Sequence, residues 1–329
     1  MNEITLDVCD FSLEQTLECG QCFRFRKVDD RSYTMIAEHT PVLLTFEPAG
    51  GVEPANEAES SVGTDDAGGT DAAGSEGDPY SGRLTIKSYG GGTSPASDVS
   101  VWREYFDLDR DYAAIKERLS DGDKVMQAAA KAGGGIHILK QDLWETIISF
   151  LISQNNNIPR IKGCIERLCA LCGEPLYSEE SSTCSEASEG GSDCESPEIF
   201  GDLSMCDIPT AEKLAAMSED DLAPVRLGYR AHYIIETARS VASDGLPETY
   251  DELLSLCGVG PKVADCIRLF GLGETGSFPV DVWMKRVMHD MYGFDENDMK
   301  GMQTFAEEHY GKDSGFAQQY LYYYIRDQK

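Results

Sequence analysis

The sequence predicts an α+β chain, mainly α, with an N-terminal antiparallel β-sheet over residues 1–97 and a helical region over residues 98–329. Three observations predict it. Short alternating or continuous apolar runs separated by polar turns fill the early chain, apolar residues recur at helical spacing beyond about Val101, and two acidic stretches interrupt both patterns without ending either.

In order, Phe23-Arg24-Phe25-Arg26, Tyr33 to Ala37 and Val42 to Phe46 read as strands, with Asp29-Asp30 marking a turn. Leu84-Thr85-Ile86 resumes the strand pattern beyond the first acidic stretch. Helices are predicted over 142–153, 158–171, 230–242, 249–256, 262–271, 282–291, 299–309 and 315–326. The acidic stretches, about 48–82 and 178–207, are rich in Gly, Ser, Ala, Asp and Glu and carry too little apolar surface to offset chain entropy. Both are expected to be flexible insertions.

A net charge of −30 argues against a nucleic-acid ligand, because Lys and Arg make the phosphate contacts. Its distribution answers the objection. Residues 47–82 and 178–207 each hold nine acidic and no basic side chains, supplying −18 and leaving −12 on the rest. Small basic stretches remain: Arg160, Lys162 and Arg167 stand against Glu166, and Arg226, Arg230 and Arg239 against Glu236.

The N-terminus lacks the layout of a signal peptide and no apolar run is long enough to span a bilayer, so an intracellular protein is expected, cytoplasmic in a prokaryote or nuclear in a eukaryote. The eleven cysteines are read as reduced thiols. Cys19-Gly-Gln-Cys22 and Cys169-Ala-Leu-Cys172 each have the spacing of half a zinc site, but Cys164, Cys169 and Cys172 follow a helical pattern that suits small buried hydrophobes. No metal is assigned.

Residues 249–291 carry the chemistry. A helix from Thr249 is followed by Leu256-Cys257-Gly258-Val259-Gly260-Pro261-Lys262, in which the glycines allow positive φ and Pro261 suits the first turn of a new helix. N–H groups of this Gly258-Val259-Gly260 turn, at the positive end of that helix, suit a DNA phosphate. Alone, such a turn is only a tight turn. Lys262 has an ordinary pKa of about 10.4, and both burial and the helix N-terminus are expected to favour the neutral amine of a nucleophile. A phosphate-binding lysine is the plainer alternative. Asp281 precedes a helix and suits an N-cap; the same position would keep a carboxylate ionised beside a cationic sugar.

The hairpin-lysine segment followed by Pro279-Val280-Asp281 resembles the helix-hairpin-helix DNA glycosylase superfamily with its Gly/Pro-rich loop and Asp. Cys19-Gly20-Gln21-Cys22-Phe23-Arg24, Ser153-Gln154-Asn155-Asn156-Asn157-Ile158-Pro159-Arg160 and Leu227-Gly228-Tyr229-Arg230-Ala231 resemble the 8-oxoguanine DNA glycosylase/AP lyase family in particular. The resemblance covers the chain outside the two acidic stretches. It implies a bifunctional enzyme in which Lys262 is the nucleophile and Asp281 its electrostatic partner. It further implies a monomer that needs no cofactor and acts on double-stranded DNA containing 8-oxoguanine opposite cytosine. Asn155 matches the gap-filling residue, Tyr229 the wedge, and Arg160 and Arg230 the readers of the orphaned cytosine. Gly20 matches the carbonyl that accepts from N7–H, Cys266 and Tyr322 the pocket walls, and Gln318 the reader of the Watson–Crick edge. Trp283 replaces a family His, and Tyr322 a Phe. An alkylpurine glycosylase of the same superfamily is the nearest alternative, but such enzymes rely on the Asp without a Lys nucleophile, and Lys262 argues against it. A non-catalytic helix-hairpin-helix binding module would explain the turn but not Lys262, Asp281 and Gln318 together.

Overall fold

A computed structural model describes residues 2–49, 78–89, 97–176 and 197–327. Five antiparallel strands, β1 (Asn2–Val8), β2 (Phe25–Lys27), β3 (Ser32–Ala37), β4 (Thr40–Pro48) and β5 (Gly82–Ser88), form one sheet in the order β1-β5-β4-β3-β2. The strand β1 lies outside the segments predicted as strands. Its alternation is clear, with Ile4, Leu6 and Val8 buried between exposed neighbours, but its partner β5 is remote in sequence.

One sheet face packs on α1 (Leu13–Glu18) and α2 (Val99–Tyr105), and Phe11, Leu17, Trp102 and Phe106 are fully buried there. The core of the sheet therefore draws in side chains beyond residue 97. The other face, at Ile36 and Leu43, is covered by Phe200 and Leu203. This corrects the flexible reading of the second acidic stretch over its last part: Pro197–Phe200 forms a 3-10 turn, and apolar burial holds 197–207 in place. The remainder of that stretch, 178–196, lies outside the described residues, as do 50–77 of the first. Each departs from pinned ends: Pro48 pairs with Gly82, and Pro175 bridges Cys206.

The helical region begins with α3 (Tyr112–Ser120) and α4 (Lys124–Ala132), followed by α5 (Leu143–Ser153) and α6 (Ile158–Cys172). It continues through α7 (Ala211–Ala215), α8 (Arg230–Asp244), α9 (Tyr250–Ser255) and α10 (Pro261–Phe270). The last three are α11 (Val282–Tyr292), α12 (Met299–His309) and α13 (Ser314–Asp327). Side-chain oxygens of Asp142, Asn157, Thr249 and Asp281 cap α5, α6, α9 and α11, satisfying N–H groups that the helices leave open. Buried continuously from Thr146 to Ile152, α5 is the central helix, with Ile147, Ile148, Leu151 and Ile152 fully buried. Among the described residues no helix is long and apolar enough to cross a membrane.

The Cys19–Arg24 segment joins the two regions. Gln21, fully buried, donates to the carbonyls of Thr16 and His137, each at 2.8 Å, and accepts from the Leu139 N–H at 2.8 Å. Arg24 pairs with Glu166 of α6 at 3.1 Å and donates to the carbonyls of Ser204 and Cys206. Cys164, Cys169 and Cys172 are buried on α6.

Candidate active site

Between α5, α6, α10, α11 and α13 lies a cavity of about 450 Å³. Gly20, Lys262, Cys266, Asp281, Gln318 and Tyr322, drawn from four separated segments, all line it.

The helix-hairpin-helix turn sets the position of Lys262. A capping box at Thr249 and Glu252 starts α9. Gly258 then turns the chain with φ +83, and a Cβ there would lie 2.4 Å from the Tyr233 ring, so both conformation and packing require glycine. Gly260 departs from expectation: its φ of −98 is ordinary, and it serves as the N-cap of α10 with open space beside it. Val259 departs further, because its side chain is buried in the core and its N–H donates to the Leu256 carbonyl. The Val259 N–H is therefore not free for a phosphate.

Lys262, on the first turn of α10, places Nζ 5.6 Å from the Phe150 ring centre and shares its helix face with Cys266 one turn on. The sequence argument expected a depressed lysine pKa. The structure reverses the direction: Cys266, with Asp281 adding to it, holds Lys262 above the ordinary lysine range against the opposing effect of burial. Burial pushes the Cys266 thiol itself up to about 11. Asp281 caps α11, accepting from the Met284 N–H at 2.8 Å. Burial raises its pKa, opposed by the helix N–H groups and Lys262, so the helix N-terminus does not dominate as the sequence suggested.

Gly20 follows α1 with φ +85, and a Cβ there would stand 3.4 Å from the Tyr322 ring. On α13, Gln318 is buried and accepts from the Gln319 amide at 2.7 Å. Arg326 donates to the Glu18 carbonyl and lies 5.8 Å from the Tyr322 ring centre, clamping α13 beside Gly20. Phe150, Trp283, Gln319 and Arg326 also line the cavity and were not singled out as pocket residues from sequence. A polar pair, Gln318-Gln319, between the apolar Phe316-Ala317 and the Tyr320-Leu321 that follow was the available signal.

A second cluster stands at the rim. Asn155, left-handed at φ +48, donates to the Tyr229 hydroxyl at 3.3 Å, and the Tyr229 ring is 48% exposed. Arg230 is buried, and its guanidinium donates to the carbonyls of Gln154, Asn155 and Leu227. In this state it braces the Asn155 loop and does not face a partner. Gln154 also donates to the Gly258 carbonyl at 3.1 Å, tying rim to hairpin. Arg160 is exposed on the first turn of α6. Asp202, Leu203 and Ser204 of the second acidic stretch line an adjoining groove with Ile158, Pro159 and Lys162.

A model of the 8-oxoguanine DNA glycosylase N-terminal domain matches residues 3–147, and one of the HhH-GPD superfamily of base excision DNA repair proteins matches residues 148–310. A probable N-glycosylase/DNA lyase of Methanothermobacter thermautotrophicus is 33% identical over 239 residues, covering 67% of this chain and 71% of that one. The structure of MBOgg1 in complex with a low-affinity DNA ligand is similar at a TM-score of 0.76 and 33% identity, covering 100% of this chain and 96% of the other. The 8-oxoguanine glycosylase/lyase of Clostridium acetobutylicum, in complex with double-stranded DNA containing cytosine opposite 8-oxoG, is similar at 0.74 and 29% identity, covering 99% and 98%.

Proposed function

The chain belongs to the N-glycosylase/DNA lyase family of 8-oxoguanine glycosylases, and from that premise we propose the roles of its residues in excising 8-oxoguanine and nicking the strand. The observation that carries the reading is the convergence of Gly20, Lys262, Cys266, Asp281, Gln318 and Tyr322 on one cavity large enough for a purine. A binding module has no need of a half-buried lysine and carboxylate facing one pocket.

The target base must leave the stack before its sugar can be reached. Tyr229 wedges the duplex, Asn155 fills the gap, and Arg160 and Arg230 read the cytosine left behind. For Arg230 this requires exchange of its present carbonyl partners for the base. In the pocket the Gly20 carbonyl accepts from N7–H, a hydrogen that guanine lacks and 8-oxoguanine carries. Tyr322 and Cys266 flank the ring, and Gln318 meets the Watson–Crick edge.

Lys262 carries the bond changes. Its ammonium sheds a proton as the extruded nucleotide excludes water, since desolvation favours the neutral amine. Nζ then attacks C1′, the N-glycosidic bond breaks, and the base departs with its electron pair and takes up a proton. The positive charge that develops on the sugar lies against Asp281. Ring opening yields a Schiff base, and loss of a 2′ proton expels the 3′ phosphate. Single-turnover incubation with duplexes carrying 8-oxoguanine opposite cytosine or adenine tests the reading. Faster excision opposite cytosine, with strand nicking, is expected; base release without nicking would overturn the lyase half.

A further inference from the structure

We propose that Gln319 is a specificity-determining residue of the base pocket, recognising the exocyclic amine of the extruded base; this rests on the glycosylase reading above. Gln319 lines the cavity next to Gln318 and is 3% exposed. Its Nε2 donates to Gln318 Oε1 at 2.7 Å. Its own Oε1 is buried and has no hydrogen-bond partner among the described residues.

A buried amide oxygen without a donor is unfavourable, and an apolar side chain of similar length would avoid the penalty. The residue type therefore makes sense when a donor arrives from the cavity. An 8-oxoguanine presents two donors on its Watson–Crick edge, N1–H and the exocyclic N2 amine, beside the O6 acceptor. Two adjacent amide oxygens match two adjacent donors. Gln318 Oε1 keeps one lone pair after accepting from Gln319 and takes N1–H. Gln319 Oε1 takes an amine hydrogen, and its Nε2 holds the Gln318 amide with the oxygen toward the base. A base without the amine leaves Gln319 Oε1 orphaned, and an 8-oxoadenine edge opposes an N1 lone pair to the Gln318 oxygen. Recognition of this kind rejects the wrong ligand strongly, because the buried acceptors stay unpaired.

The experiment compares single-turnover excision of 8-oxoguanine and of its 2-deamino analogue 8-oxohypoxanthine, each opposite cytosine, by the full chain. A preference for the amine-bearing base of at least about tenfold is expected. No preference in the unaltered chain overturns the proposal without recourse to a variant. In Gln319→Met the preference is expected to fall toward one, mainly through slower excision of 8-oxoguanine. An equal fall on both bases, or an unchanged ratio, would mark a purely structural residue and overturn the assignment. Borohydride trapping of the unaltered chain on an abasic duplex, which has no base to read, separates the two levels. An adduct together with no amine preference rejects the Gln319 assignment alone, and no adduct and no excision rejects the glycosylase reading with it.

Discussion

Asn155 and Tyr229 are joined across the rim of the cavity by a 3.3 Å hydrogen bond, from the amide of one to the hydroxyl of the other. The pair holds a left-handed residue and a largely exposed ring together before any duplex is present. Asn155→Ala is expected to slow 8-oxoguanine excision about 10- to 100-fold, since unstacking a base costs a few kcal/mol and each 1.4 kcal/mol is a factor of ten. Fluorescence of 2-aminopurine placed beside the lesion checks it: the rise on base extrusion should shrink in step with the rate.

Gly20 sits where a side chain meets both backbone strain and the Tyr322 ring. Gly20→Ala should lose about 1–2 kcal/mol of stability from the left-handed conformation. Relief of that strain should shift the Gly20 carbonyl and reduce excision by about tenfold or more, in keeping with the sensitivity of reacting geometry to small shifts. Thermal melting and single-turnover rates on the same preparation separate the two effects.

Cys266 is the first cause of the raised Lys262 pKa. A nucleophile that must be neutral becomes more abundant as pH rises toward its pKa, so borohydride-trapped adduct formation on an abasic duplex should accelerate through pH 6–9. Asp281→Asn removes the carboxylate that adds to this and leaves burial, which lowers the lysine pKa. Its profile should shift to lower pH, and an unshifted profile would show that Asp281 does not set the lysine's charge.

His39 in the β3–β4 turn pairs with Asp207 at 2.7 Å, and that hydrogen bond lifts its pKa to about 9 from the ordinary 6.5. A raised folded-state value means the stabilisation is full below about pH 6.5 and is lost as pH rises through about 9. The side chain is 53% exposed, so solvent screening limits the contribution to at most about 1 kcal/mol. His39→Gln should therefore melt at most about 1–2 °C below the unaltered chain at pH 6 and match it at pH 10.

Much of the helical region was legible because periodicity and caps agree. The predicted helices over 158–171 and 299–309 stand as Ile158–Cys172 and Met299–His309. The short helices α1 to α4 escaped assignment because they are held by contacts distant in sequence, as Trp102 is on the sheet. Phe200 and Leu203 were misread for the same reason, since two apolar residues in an acidic stretch gain meaning only from the sheet face they cover. At the site, motif residues pointed to the pocket, but the charge state of Lys262 was not legible. Its sign depends on how closely Cys266 and Asp281 approach a buried amine. Arg230 likewise carries carbonyl partners that spacing alone could not disclose.

The central claim is that Lys262 forms the covalent bond to the sugar. The direct measurement is borohydride trapping on a duplex with one 8-oxoguanine opposite cytosine, comparing the unaltered chain with Lys262→Gln at matched binding. The account predicts a covalent protein–DNA adduct and a nicked strand for the first, and neither for the variant. An adduct of undiminished yield in Lys262→Gln would contradict it.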